Sequence, residues 1–189
     1  MNIFNMKLIK EYFGAVKLIQ FDKFEDHRGS FSEVFRLDKL AEFGVSCNFV
    51  QENQSISRKN VIRGLHLQYL PKQAKLIRVI KGIAQFVELD FRPGKTFGQH
   101  IDLILKDEDN LMIWVPFGFA NGFAALSDEL IVNYKVTEYW NKKGEVSIKY
   151  SSPELNIKWV INNPIVSEKD QNALTFSEFT EHILPLIKF

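Results

Sequence analysis

A single cysteine, Cys47, stands among the 189 residues. It excludes an intramolecular disulfide and any metal knuckle built from paired cysteines, and it fits a reducing compartment. An excess of one charge is also missing: 24 Lys and Arg balance 23 Asp and Glu, for a formal net charge of +1. With the two signs interspersed there is no electrostatic footprint for nucleic acid or anionic lipid, so the expected partner is a small molecule or a second copy of the chain. Long apolar runs are absent as well. The opening stretch MNIFNMKLIKEYFGAVKLIQ is interrupted by Lys7, Lys10, Glu11 and Lys17, which leaves no core for a signal peptide or membrane span, and the expectation is a soluble, cytoplasmic protein. Phosphate-binding loops are lacking too. GKT at Gly94 to Thr96 has Leu89 where such a loop needs its first glycine, a strand pattern follows it, and GxGxxG does not occur. GKT reads instead as a hairpin turn.

What is present is β structure. With 46% hydrophobic residues the chain can bury one substantial core, and residues 1–189 are expected to form one domain. Short runs rich in Val, Ile, Phe and Tyr recur between turn residues: AVKLIQF, SFSEVF, NFVQENQSIS, VIRGLHLQ, AKLIRVI, IAQFVELDF, GQHIDLIL, LMIWV, GFAAL, IVNYKVTEYW and VSIKY. Their length and spacing predict a mainly β sandwich or barrel and not alternating βαβ units. Helical signals are few. DKLAEFG can hold about two turns ended by Gly44, and TFSEFTEHILPL opens with a Thr175-to-Glu178 capping box.

VIRGLHLQ carries a lone histidine. Strict alternation sends Ile62, Gly64, His66 and Gln68 to one face and Arg63, Leu65 and Leu67 to the other. His66 then shares its face with a glycine and an amide, which leaves space beside the ring. Taken alone, this is a buried histidine satisfied by hydrogen bonds or a functional group.

RGLHLQ, QAKLIRVIKG and VPFGFANGF together resemble a cupin, a double-sheet jelly-roll barrel with an internal pocket. Many cupins hold a metal through an HxH pair, a glutamate and a later histidine. Here Gln68 follows His66, YLPKQA offers no glutamate, and Asn121 occupies the last ligand position. One imidazole beside amides does not make a transition-metal site, which argues against a metal-dependent oxygenase or isomerase.

The succession DHRGSFSEVF, FVQENQSIS, VIRGLHLQ, QAKLIRVIKG, ELDFRPGKTFG, WVPFGFANGF, NYKVTEYW, ELNIKW and VSEKD is similar, in order and spacing, to the nucleotide-sugar 3,5-epimerase family typified by dTDP-4-dehydrorhamnose 3,5-epimerase. The match runs from about Phe21 to about Ala173. It implies a metal-free cupin without cofactor, commonly a homodimer whose N-terminal strands reach the partner's site. The activity implied is inversion of C3, C5 or both on a 4-keto-6-deoxy sugar, a hexose or heptose carried on dTDP or GDP, for surface polysaccharide biosynthesis. Alternatives are a C3-only or C5-only epimerase, a 3,4-ketoisomerase, and a non-catalytic sugar-binding cupin.

The resemblance also implies roles. A 4-keto group acidifies the C–H bonds at C3 and C5, so inversion needs a base on one face of the ring and an acid on the other. His66 matches the base, Asp170 of SEKD its orienting carboxylate, Tyr134 the proton donor, and Lys75 the cation beside the enolate oxygen. Each has a plainer alternative: Tyr134 in a core, Asp170 in a turn, Lys75 on the surface. Arg28, Arg63 and Lys169 are donors for a diphosphate or sugar hydroxyls. Phe31 and Glu33, on one face of the SFSEVF strand, match residues that meet the base, and Gln51 and Asn53 can bridge phosphate or base. Two departures stand out. Phe86 in FVELD replaces an acidic residue of the family pattern, and Asn121 in FANGF replaces a histidine. Both are expected on the pocket wall, which points to an altered sugar.

Overall fold

The computed structural model describes residues 5–189. The strands are, in chain order, β1 (Met6–Tyr12), β2 (Val16–Phe21), β3 (Phe24–Asp26), β4 (Gly29–Phe31), β5 (Gln51–Arg58), β6 (Val61–Gln68) and β7 (Lys75–Lys81). They continue with β8 (Ile83–Asp90), β9 (His100–Lys106), β10 (Leu111–Val115), β11 (Phe119–Ala125), β12 (Glu129–Val136), β13 (Glu145–Ser147) and β14 (Ile165–Val166). Three short helices are interspersed: α1 (Leu37–Glu42), α2 (Glu168–Gln171) and α3 (Phe176–His182).

Two sheets carry the structure. One has the order β1-β2-β10-β7-β12-β5, the other β13-β6-β11-β8-β9 with β14 paired in parallel to β6; β3 and β4 form a separate hairpin. Alternation layers them. In β7, Ile77 and Val79 point between the sheets while Leu76 packs on the outer side; in β8, Ala84 and Phe86 point inward while Val87 and Leu89 face outward. The interior is therefore apolar from both walls, with Leu18, Phe86, Ile113, Phe123 and Val132 among its members. This is the mainly β sandwich or barrel expected from the strand pattern, in the double-sheet form that the cupin resemblance implies.

Each outer apolar face needs a cover. α1 buries Leu40 against Ile19, Met112 and Trp114 on the first sheet. It stops as expected: Gly44 follows at φ +79° and donates to the Ala41 carbonyl. α3 begins with the reciprocal Thr175–Glu178 capping box, and its fully buried Phe179 sits 4.3 Å, centroid to centroid, from Phe91 on the second sheet. Truncating a ring so placed costs roughly 3–5 kcal/mol.

Several expected strands are shorter than predicted. Only Ser30 and Phe31 of SFSEVF lie in a strand, β4, so Phe31 and Glu33 do not share one strand face; beyond it Glu33 and Asp38 both pair with Arg36 at the start of α1. VSIKY is a strand only through Ser147. The GKT segment lies in the β8–β9 connection, where Thr96 Oγ1 donates to Asp90. Among the described residues no helix is long and apolar enough to cross a membrane.

Candidate active site

The site begins with an irregularity in β6. Against β11, Arg63 pairs with Phe123 and His66 with Asn121, so Gly64 and Leu65 together oppose the single residue Gly122. This is a β-bulge, and it overturns strict alternation. Arg63 and His66 both reach the interior, while Leu65 and Leu67 pack on the outer face. Gly64 makes this possible: its φ is +109°, and a Cβ there would lie 2.7 Å from the Asn121 carbonyl and Gly122 Cα.

His66 is held from behind. β14 pairs Ile165 and Val166 with Val61 and Ile62, which lays the start of α2 against β6. Ser167 caps that turn by accepting from the Asp170 N–H. Asp170 then accepts from His66 Nε2 at 2.7 Å through one oxygen and from the Gly64 N–H at 3.3 Å through the other. A carboxylate only accepts, so Nε2 carries the proton and Nδ1 the lone pair. Burial alone would raise the Asp170 pKa, but the bonds from His66, Gly64 and Ser167 outweigh it and hold the group below the usual aspartate range.

His66 opens onto a cavity of about 130 Å³ between the sheets. Arg63, His66, Asn121 and Phe123 line it from the second sheet; Ser55, Lys75, Ile77, Val132 and Tyr134 line it from the first. The imidazole and the phenol thus come from facing walls. Burial pushes the Tyr134 hydroxyl up, with the negative charge of Glu145 adding to it and Arg63 opposing, so the phenol keeps its proton at neutral pH. Burial pulls Lys75 down, against the pull of Glu88 and Glu145, while Lys169 adds to the lowering.

Two expectations about the wall need correction. Phe86 does not line the cavity: it is fully buried in the inner core, 5.7 Å from the Phe123 ring. Nor is an acid absent behind the wall. Glu88, the next inward residue of β8, is fully buried and accepts from Asn121 Nδ2 at 2.7 Å. Gln68 is also not beside the imidazole: its amide donates to the Pro71 and Tyr139 carbonyls and accepts from the Asn141 N–H, so it pins backbone.

Some of the remaining residues surround the cavity and others lie apart from it. Gln51 and Asn53 lie on the same face of β5 as Ser55 and are bonded to each other at 2.8 Å, with Asn53 opposite Tyr134. Lys169 pairs with Glu145 and lines a cleft together with His66 and Asp170. Arg28 and Phe31 lie on the β3–β4 hairpin, where Arg28 pairs with Asp26, and Glu33 with Arg36; the chain does not bring these three to its own cavity. Sequence reasoning missed Glu88, Glu145 and Ser55. Only Glu88 left a signal, a carboxyl on the inward period of an apolar strand. Among the described residues no three His, Cys, Asp or Glu side chains are placed to hold a metal ion.

Comparison with known proteins shows the family. The model of the dTDP-4-dehydrorhamnose 3,5-epimerase family matches residues 12–178. A protein of that description from Methanothermobacter thermautotrophicus is 39% identical over 170 residues, 88% of this chain and 92% of that one. The Bacillus anthracis dTDP-4-dehydrorhamnose 3,5-epimerase, solved with TDP and pyrophosphate, superposes with a TM-score of 0.88 at 38% identity, covering 90% of this chain and 99% of that one. A Legionella pneumophila 3,5-epimerase solved with dTDP-4-keto-L-rhamnose gives 0.87 at 37% identity, covering 97% and 95%.

Proposed function

The chain belongs to the dTDP-4-dehydrorhamnose 3,5-epimerase family, and from that premise we propose that it inverts C3, C5 or both of a dTDP-linked 4-keto-6-deoxy sugar. One observation carries the reading. A carboxylate-backed imidazole and a protonated phenol enter the same cavity from opposite sheets. Inversion at carbon needs that arrangement, because the proton must leave by one face of the ring and return by the other.

His66 Nδ1 takes the proton from the carbon next to the ketone, and the C–H electron pair delocalises onto the C4 oxygen as an enolate. Asp170 holds the ring by Nε2 and stabilises the imidazolium that forms. Lys75 supplies positive charge to the enolate oxygen from the first sheet. Tyr134 delivers a proton to the opposite face, which restores the ketone with inverted configuration. Arg63 and Asn121 are placed to meet the sugar or diphosphate, and Gln51, Asn53 and Lys169 surround the approach.

The assembly we propose is a cytoplasmic homodimer. The β3–β4 hairpin carries Arg28 and Phe31 away from its own cavity, with Phe31 62% exposed, and in a dimer it would complete the partner's nucleotide subsite, with Glu33 at its base. The product would serve surface polysaccharide biosynthesis. The test is incubation of the full-length protein with dTDP-4-keto-6-deoxyglucose and its GDP counterpart, followed by NMR of the product. Inversion at C3 or C5 with preference for the dTDP sugar supports the reading. A 3-keto product would assign a ketoisomerase, and an unchanged sugar would overturn catalysis on this substrate class.

A further inference from the structure

Glu88 lies in β8 with no exposed surface. The register sets it directly opposite Asn121, and Asn121 directly opposite His66, so one row across three neighbouring strands reads Glu88, Asn121, His66. Asn121 Nδ2 donates to Glu88 Oε1 at 2.7 Å, and Glu88 Oε2 is buried without a partner. Keeping such an oxygen inside a barrel is unfavourable. An aliphatic side chain would occupy the same interior without that penalty.

What the carboxyl does that an aliphatic group cannot is choose an orientation for the amide. A carboxamide has a donor end and an acceptor end of nearly equal shape, and unrestrained it can offer either to a molecule in the cavity. We propose that Glu88 is a positioning residue for substrate recognition: it binds the Asn121 nitrogen, so that the carboxamide oxygen faces the cavity as a fixed acceptor for a sugar hydroxyl. The identity of that ligand rests on the epimerase reading above. Burial pushes Glu88 up to about 8, against the bond from Asn121 and the charge of Lys75. The neutral acid still has a carbonyl oxygen to accept from Asn121, so the restraint does not depend on charge. Specificity built on a buried hydrogen bond discriminates hydroxyl configuration more sharply than apolar fit does.

The test compares the full-length wild type with Glu88→Gln, Glu88→Leu, Asn121→Ala and the Glu88→Leu/Asn121→Ala double variant on dTDP-4-keto-6-deoxyglucose. Glu88→Gln keeps an acceptor oxygen and stays within about threefold of wild type in KM. Glu88→Leu raises KM about tenfold with kcat nearly unchanged. In the double variant Glu88→Leu adds nothing to Asn121→Ala, because its effect passes through the amide. A wild-type KM in Glu88→Leu, or losses that multiply in the double variant, overturns the proposal. Should Glu88→Leu not fold, Glu88→Met replaces it. A substrate-free readout separates this proposal from the epimerase reading. The side-chain amide NMR signal of Asn121, assigned by its loss in Asn121→Ala, shifts in Glu88→Leu and returns toward its native position in Glu88→Gln. If the wild type leaves the sugar unchanged, the epimerase reading fails; an Asn121 signal unmoved by Glu88→Leu overturns the positioning role whatever the substrate.

Discussion

His66 Nε2 and Asp170 Oδ1 lie 2.7 Å apart although 104 positions separate them in the chain. The carboxylate that holds the ring also accepts the N–H of Gly64, the residue that creates the bulge. Base, orienter and bulge are therefore one unit. Asp170→Asn keeps the shape but no longer stabilises an imidazolium, and kcat should fall by about 10²-fold or more with the fold intact by circular dichroism.

The same carboxylate predicts an acid limit on stability. Its folded pKa is held below the usual aspartate value, so its contribution is present above that ordinary value and is lost as pH falls through the folded one. Acid melting curves should show a shallower loss below about pH 4 in Asp170→Asn than in the wild type.

Glu88 has the opposite sign. Its folded pKa is raised to about 8 from an ordinary 4.5, so the stability it contributes is fully present below 4.5 and declines as pH rises toward and through 8. Melting temperatures measured between pH 5 and 9 should fall for the wild type relative to Glu88→Gln, which has no proton to lose. Parallel curves would show that the carboxyl titrates normally.

Tyr134→Phe separates the two proton transfers. The phenol donates after abstraction, so net inversion should drop more than wash-out of the first proton. Because burial, helped by Glu145, raises the Tyr134 pKa, wild-type activity should show no alkaline limb from this group below pH 10. Equal losses in inversion and wash-out would mean that Tyr134 only positions the sugar.

Gly64→Ala tests the bulge. The added methyl would lie 2.7 Å from two backbone atoms at a φ of +109°, and the substitution should destabilise by more than about 2 kcal/mol in chemical denaturation, with loss of activity at temperatures where the chain remains folded.

Much of this was legible in the chain. VIRGLHLQ and LMIWV coincide with β6 and β10, and the Thr175–Glu178 box opens α3, because alternation and capping are local. Alternation in VIRGLHLQ marks out His66, but its role and those of Asp170, Tyr134 and Lys75 are legible only through ordered resemblance, since no local rule joins residues on different sheets. The bulge was not legible: alternation put Arg63 opposite His66, and only the β11 register shows that both face inward. Glu88 is not legible as a site residue because a single glutamate belongs to no motif, while its meaning comes from Asn121 on the neighbouring strand.

The most direct test of the central claim is proton NMR of dTDP-4-keto-6-deoxyglucose with the full-length protein in deuterium oxide, run beside His66→Asn. The account predicts deuterium entering at C3, C5 or both with the wild type, and none above the enzyme-free control with His66→Asn. Exchange that continues at the wild-type rate after that substitution would place the base elsewhere and contradict the account.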